Sequence, residues 1–204
     1  MSDLRQEILS KTRELFMRYG LKSITMDDIA RQLGISKKTL YQVVDNKADL
    51  VHQLFEKHIE DEKEMMHKIL SESHDAIDEI LGIGRFVIQK LRELSPTVVY
   101  DLRKYYHESW AKMEALHQQF VYKVIKANLE RGQKEGLYRT NLNPDIVAKL
   151  YVGKASIMVD ENLFPLRDYN KELLFREFIF YHIHGVASPK GLTLFEQYIE
   201  EGRL

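Results

Sequence analysis

The chain of 204 residues contains no cysteine, which excludes disulfide bonds, thiolate zinc sites and cysteine nucleophiles. No apolar run approaches the roughly 20 residues that a membrane-spanning helix needs. The charged, amphipathic start, MSDLRQEILSK, is not typical of a signal peptide. From these absences we expect a protein of the cytoplasm with no membrane partner.

The sequence also lacks the motifs of common enzymes and metal sites. It contains no Gly-rich phosphate loop, no nucleophile elbow and no HExxH pair. His182 and His184 alternate on an expected helix and so face apart, whereas the spacing of His58 from Asp61 and Glu62 is common on solvated helices. We therefore expect no catalytic residue, no cofactor and no metal site.

The hydrophobic residues recur at spacings of three and four along almost the whole chain, and no alternating strand pattern stands out. This periodicity predicts an all-α fold of about nine helices. The first helix stops at Gly20, and a long one runs from Asn46 to about Leu70. Near the end, the pattern predicts helices over about 143–164 and 170–185 and a short tail helix after Gly191.

Residues 25–49 read TMDDIARQLGISKKTLYQVVDNKAD, and their capping residues agree with their apolar pattern. Thr25 stands at an N-cap, with an acid three residues later near the positive end of the helix dipole. Gly34 suits the left-handed position after that helix, and Ser36 caps the next one. Asn46 caps a third helix. The segment therefore predicts a helix-turn-helix, in which the second short helix enters the DNA major groove.

The charges near this turn favour a double-stranded DNA partner. Residues 1–50 hold nine Lys or Arg and seven Asp or Glu, a net charge of +2, whereas residues 51–204 carry −3. Placement matters more than the sum, because basic side chains beside the reading helix neutralise phosphates. The basic residues near the turn are Lys22, Lys37, Lys38 and Lys47.

The first 50 or so residues resemble the TetR family of transcriptional regulators. The pattern T-x-x-x-I-A-x-x-L-G-I-S-x-x-T-L-Y starts at Thr25, and Lys47 follows its tyrosine by six residues. Val44 departs from the family, in which a large aromatic is more usual, so we expect looser packing behind the second helix. The resemblance implies a three-helix DNA-binding domain over residues 1–48 and a larger helical effector-binding and dimerisation domain over 49–204.

The resemblance also assigns roles to the residues around the turn. In similar regulators the positions of Thr25, Tyr41 and Lys47 contact phosphates, which fixes register without reading sequence. The remaining polar side chains of the second helix are better placed for base edges, since Lys donates to guanine, Gln suits adenine and the Thr methyl suits thymine. The residues we expect to contact bases are Lys37, Lys38, Thr39 and Gln42.

Similar regulators pair through their last two long helices, which implies a homodimer here. Two-fold pairing places two reading helices about 34 Å apart, so the expected operator is a near-palindrome. The alternative is that these apolar stripes belong to the core of one chain. The expected interface residues are Val147, Leu150, Tyr151, Lys154, Met158, Leu174, Phe178 and Tyr181.

The resemblance finally implies a small organic effector among the middle helices, whose binding releases a repressor from its operator. Aromatic and Met side chains suit an uncharged or weakly polar molecule, although such residues are usually core. The expected lining residues are Tyr100, Tyr105, Trp110, Met113, Phe120, Tyr151 and Met158. Two alternatives stay open: a DNA-binding protein of this shape without an effector, and a helical metal-carboxylate enzyme.

Overall fold

The protein is all-helical, as the computed structural model of residues 2–93, 95–158, 160, 162–165 and 167–204 establishes. Within these ranges the side chains of Ser2, Asp3, Glu93, Pro96, Glu108, Ser109, Lys112, Met113 and Ser156 are not described. The described residues form ten helices and no strand, which confirms the all-α prediction. The helices are α1 (Ser2–Tyr19), α2 (Met26–Leu33), α3 (Lys37–Leu40), α4 (Lys47–Glu72), α5 (Ala76–Glu93), α6 (Pro96–Tyr105), α7 (His107–Lys134), α8 (Pro144–Ile157), α9 (Lys171–Val186) and α10 (Pro189–Glu200).

The capping residues explain where several of these helices begin. The side chain of Asn143 accepts the backbone N–H groups of the first turn of α8, and Pro144 occupies the first helical position, where no N–H donor is needed. Asn170 caps α9 in the same way through the N–H of Leu173. These starts lie where the sequence predicts them, because a cap acts on residues within one turn of itself.

Two helices end earlier than predicted. The second helix of the turn motif stops at Leu40 and continues as a turn to Val43. The eighth helix stops at Ile157 instead of running to about residue 164. Beyond it the carboxylate of Asp160 accepts the backbone N–H of Asn162 at 2.9 Å, a local turn that competes with the helical hydrogen bonds.

The tail helix begins earlier than predicted. Ser188 caps it by accepting the N–H of Gly191 at 3.2 Å, and Pro189 is its first residue. Gly191 therefore lies inside the first turn instead of before the helix. A Cβ at this position would lie 2.0 Å from the carbonyl oxygen of Leu137, so glycine serves close approach of two backbones here.

Packing divides the chain into two compact units, Met1–Lys63 with Leu94–Leu116, and Glu64–Glu93 with His117–Leu204. The first unit therefore includes α6 and α4 as far as Lys63, whereas the division predicted at residue 48 places them in the C-terminal domain. Its core is formed by side chains of α1, α2, α3, α4 and α6. The most buried members are Ile8, Phe16, Leu21, Ile29, Leu40, Val44, Leu50, Val51, Val98 and Leu102.

The second unit combines an apolar core with a buried polar network. Asn128 Nδ2 donates to Ala76 O at 2.9 Å and to Glu79 Oε1 at 3.0 Å. The Tyr138 hydroxyl lies 3.0 Å from Asn128 Oδ1, and Arg131 pairs with Glu79 at 2.7 Å. Because each of these four buried or half-buried side chains has a partner, the network fixes the start of α5 against α7.

Candidate DNA-binding surface and exposed helical face

The start of α2 is held by a complete capping box. The backbone N–H of Asp28 donates to Thr25 Oγ1 at 3.1 Å, and the carboxylate of Asp28 accepts the N–H of Thr25 at 3.0 Å. The Thr25 hydroxyl itself donates to Asp28 Oδ2 at 2.6 Å. The hydrogen bonds from Thr25, together with Arg31, lower the pKa of Asp28. Thr25 is thus a helix cap in this structure, and a phosphate would have to compete with Asp28 for its hydroxyl.

Gly34 makes the turn between the two short helices. Its φ of 65° is left-handed, and its N–H reaches the carbonyls of Ala30 and Arg31. A residue with a Cβ is strained in this conformation. Ser36 then caps α3, accepting the N–H of Thr39 at 3.0 Å. The helix-turn-helix geometry that the sequence predicts is therefore present.

The outward side of the α3 segment carries the residues predicted to read bases, but they are not equally available. Lys37 pairs with Asp27 at 2.6 Å, and this hydrogen bond raises the pKa of its ammonium. Thr39 is half-buried, and its hydroxyl lies 2.8 Å from that of Ser36. Lys38 and Gln42 are exposed and make no side-chain hydrogen bond or ion pair to any described residue.

The two remaining residues predicted to contact phosphates differ in their surroundings. Tyr41 is 47% exposed, so its hydroxyl is accessible. Lys47 is half-buried at the start of α4, with its ammonium 5.9 Å from the ring centroid of Phe16. Burial lowers the pKa of Lys47, while the carboxylates of Asp101 and Asp28 act in the opposite direction. An ammonium at a helix N-terminus, already poorly solvated, is suited to a phosphate.

Sequence reasoning missed the contribution of α6 to this unit. Asp101, which is 5% exposed, accepts the backbone N–H of Lys22 at 2.9 Å. Val98 and Leu102 of the same helix enter the core around the turn motif. Asp101 and Lys22 lie 79 positions apart in the chain, so no local pattern reveals their contact.

Comparison with known proteins assigns this arrangement to a family. Residues 8–54 match the family of bacterial regulatory proteins described as tetR family. A curated relative, the HTH-type transcriptional regulator YvaF of Bacillus subtilis, is 28% identical over 163 residues, 79% of this chain and 84% of the relative. The turn motif and the helices around it are therefore those of the TetR family of bacterial regulatory proteins. Transcriptional regulators are a non-enzymatic class, which confirms the prediction that the chain is not an enzyme.

Solved structures share the fold of this chain along most of its length. A transcriptional regulator from Cytophaga hutchinsonii superposes with a TM-score of 0.76 at 20% identity, covering 90% of this chain and 98% of the other. A regulator from Saccharomonospora viridis, solved in complex with choline, gives 0.65 at 17% identity over 92% and 100% of the two chains. No helix in the described part of the chain is long and apolar enough to cross a membrane.

A second surface of the chain, formed by α8 and α9, exposes apolar side chains. Leu150 is 56% exposed and Tyr181 is 66% exposed, high values for such large side chains. The exposed apolar residues of each helix are four, seven or eight positions apart, so they lie on a similar side of that helix. We call this surface the α8–α9 face; its apolar members are Ile146, Leu150 and Ile157 on α8 and Leu173 and Tyr181 on α9.

The residues predicted to form the dimer interface divide between this face and the interior. Leu150 and Tyr181 are exposed, and the side chains of Val147, Lys154, Met158 and Leu174 are half-buried. Tyr151 and Phe178 are 4% and 8% exposed, with ring centroids 4.6 Å apart. Because both rings are buried against each other, they belong to the core of one chain. The sequence pattern of a single helix does not indicate which of its sides faces inward.

A groove of about 340 Å³ lies within the α8–α9 face. Lys154 and Glu177 place opposite charges at an otherwise apolar lining, and the Lys154 ammonium lies 4.1 Å from the ring centroid of Tyr181. Of the residues predicted to line an effector pocket, Met158 is the one found there. The full lining is Lys154, Ile157, Met158, Phe164, Leu174, Glu177, Phe178 and Tyr181.

The other residues predicted to line a pocket are spread over both compact units. Tyr100 and Tyr105 are exposed, and Trp110 is half-buried against the guanidinium of Arg103, 5.0 Å from its centroid; all belong to the first unit. Phe120 is half-buried in the second unit, with its ring 6.4 Å from that of His67. The side chain of Met113 lies outside the described residues. No group of three potential metal ligands occurs among the described side chains.

Proposed function

We propose that the regulator acts as a homodimer that binds a near-palindromic operator and is released from it by a small organic molecule. The observation that carries the proposal is that Lys38 and Gln42, beside the turn, are exposed and make no side-chain hydrogen bond or ion pair to a described residue. These side chains can donate to guanine and pair with adenine in the major groove. Tyr41 and Lys47 stand beside them for the phosphates, and Thr25 caps α2, the helix that precedes the turn.

Two-fold pairing is supported by the α8–α9 face. Large apolar side chains that are half or more exposed on two adjacent helices favour a second apolar surface as partner. A face that meets a copy of itself buries the same residues twice, which is the usual arrangement in dimers. We therefore assign Leu150 and Tyr181 to direct contact between chains, with Val147, Lys154, Met158 and Leu174 beside them and the groove filled by the partner. Tyr151 and Phe178 support this face from beneath.

An effector is proposed for the second compact unit, where Phe120, Tyr151 and Met158 remain the candidate lining residues. The structural relative from Saccharomonospora viridis binds choline, which supports a small organic molecule as the class. Thermal-shift screening against hydrophobic and cationic compounds tests this part. A compound that raises the melting temperature should also weaken operator binding. If no compound of either class does so, the alternative of a DNA-binding regulator without an effector replaces it.

Selection of bound sequences from a random DNA pool tests the DNA-binding part. We expect enrichment of two inverted half-sites with centres one helical turn apart, about 10 base pairs. The matched control is the variant Lys38→Ala/Gln42→Ala, which keeps the fold and should select no sequence. Selection of a single half-site would contradict the dimer, and no enrichment from the wild-type chain would contradict sequence-specific binding.

A further inference from the structure

The end of α6 forms a basic and aromatic patch on the same compact unit as the turn motif. Lys22 and Lys104 flank one ring: their ammonium nitrogens lie 5.1 and 5.5 Å from the centroid of Tyr105. Lys104 Nζ also donates to the Tyr100 hydroxyl at 2.8 Å. All four side chains are exposed. We call Lys22, Tyr100, Lys104 and Tyr105 the α6 patch.

The packing of α6 fixes this patch in place. A Cβ on Gly20 would meet Thr97 Cγ2 at 3.0 Å and Asp101 Oδ2 at 3.2 Å, and the φ of 81° at Gly20 turns the chain away from α1. Asp101 holds the next turn residue by accepting the N–H of Lys22. Two ammonium groups and two phenol hydroxyls are thus presented from a rigid support instead of from free ends.

The patch adjoins the residues proposed to contact phosphates. Lys22 precedes the N-cap Thr25 by three residues, and Asp101 lies close enough to Lys47 to favour its charged form. Besides Asp28, which is hydrogen-bonded to Thr25 and Arg31, Asp101 is a nearby acid, but it is buried and already accepts a backbone N–H. Its charge therefore offsets only part of the positive charge of Lys22, Lys104 and Lys47.

We propose that the α6 patch binds the DNA backbone beside the half-site that the α3 segment reads. Ammonium and phenol groups donate to phosphate oxygens and carry no sequence information, so this contact would extend the bound length of duplex without changing base preference. The inference rests on the proposed DNA-binding function. It assigns a helix from the middle of the chain to the DNA interface, alongside the turn motif.

The test compares the operator selected from the random pool in two forms, as a minimal duplex and with about ten further base pairs on each side, one helical turn. The full-length wild-type chain should bind the extended duplex more tightly. In Lys22→Gln/Lys104→Gln the gain should disappear, with Kd for the extended duplex rising roughly tenfold at low salt. The salt dependence of log K should fall by roughly 3 to 4 in slope, because each of four phosphate contacts per dimer contributes about 0.9.

Two variants separate phosphate binding from structural support. Lys11→Gln/Lys57→Gln removes the same charge from the same compact unit and should leave the gain and the slope unchanged. Lys22→Arg/Lys104→Arg should restore both. Equal salt slopes for wild type and Lys22→Gln/Lys104→Gln would overturn this inference while leaving the proposed function intact. Failure of the wild-type chain to bind any duplex would overturn both.

Discussion

We call the surface that carries Lys38, Tyr41 and Gln42 the turn-helix surface. It differs from the α8–α9 face in the kind of side chain left exposed. The first exposes Lys38, Tyr41 and Gln42 above a core that is almost completely buried. The second exposes Leu150 and Tyr181 above an equally buried core. Both surfaces belong to units with buried cores. The first favours a polar or charged partner, and the second favours an apolar one.

The chemical nature of the exposed side chains indicates which kind of partner can cover each surface. Charged side chains remain hydrated until a phosphate or base replaces water, so the turn-helix surface is stable in the free chain. Removing apolar surface from water lowers the free energy by about 25 cal/mol for each Å². Covering the α8–α9 face is therefore favourable. We propose that one chain carries a surface for DNA and a surface for a second chain, and the following variants test that division.

The largest effect is expected from placing a charge in the α8–α9 face. Leu150→Glu with Tyr181→Glu should leave each chain folded, because both side chains are exposed, and should give monomers in sedimentation. Operator affinity should fall by roughly 10² to 10⁴, the gain that linking two binding sites provides. Met65→Glu changes a 46% exposed side chain outside this face and is the control. A monomeric variant that binds the operator as tightly as wild type would contradict the proposal that pairing through the α8–α9 face supports operator binding.

A smaller effect is expected from the buried His182. Burial, with the nearby Lys154 ammonium, lowers its pKa from 6.5 to about 4, and its Nε2 has no hydrogen-bond partner among the described residues. A folded-state pKa below the unfolded one means that protonation favours unfolding. The loss is absent above pH 6.5, grows as pH falls, and reaches about 3 kcal/mol near pH 4.

Chemical denaturation across this pH range measures that loss. His182→Phe keeps a ring beside Tyr151 and should flatten the profile between pH 6.5 and 4, whereas His184→Gln, an exposed position, should leave it unchanged. Identical profiles for His182→Phe and wild type would show that His182 does not stay neutral in the folded core.

Base reading should depend on Lys38 and Gln42 separately. Replacing either by Ala should cost about 1–3 kcal/mol of discrimination at one position of each half-site, with similar binding to non-specific duplex. Tyr41→Phe should instead weaken binding to every sequence alike. Affinities across a set of single-base operator variants measure both. Uniform losses from Lys38→Ala would move Lys38 from base reading to phosphate contact.

The smallest expected effect concerns the cap at Thr25. Thr25→Ala removes the hydroxyl that satisfies the Asp28 N–H and should lower the free energy of unfolding by about 1 kcal/mol. Thr25→Ser keeps the hydroxyl and should restore the stability. If Thr25→Ala binds operator as wild type does, the hydroxyl serves the cap and not a phosphate; thermal melts and binding curves of the same samples decide this.

Features set within one helical turn could be predicted from the sequence, and features set by distant packing could not. The caps at Thr25, Ser36 and Asn143 follow from a polar side chain beside an apolar period. The contact between Asp101 and Lys22 depends on how α6 folds back on the turn, which no local spacing encodes. Val44 is 2% exposed, and this burial does not measure how tightly its neighbours pack. The predicted looser packing behind the second helix therefore stays a prediction.

The predicted site residues divide in the same way. Lys38 and Gln42 are exposed because a short amphipathic helix has one inward side, which the sequence indicates. The pairing of Lys37 with Asp27 joins two helices and escaped prediction. Tyr151 and Phe178 were predicted to contact a second chain, but α8 and α9 bury them against each other. Periodicity identifies an apolar stripe without identifying its partner.

Sedimentation of the full-length chain with its selected operator duplex tests the central claim most directly. The account predicts two chains on each duplex, and loss of both together when one half-site is scrambled. One chain on each duplex, or no DNA bound at low salt, would contradict it.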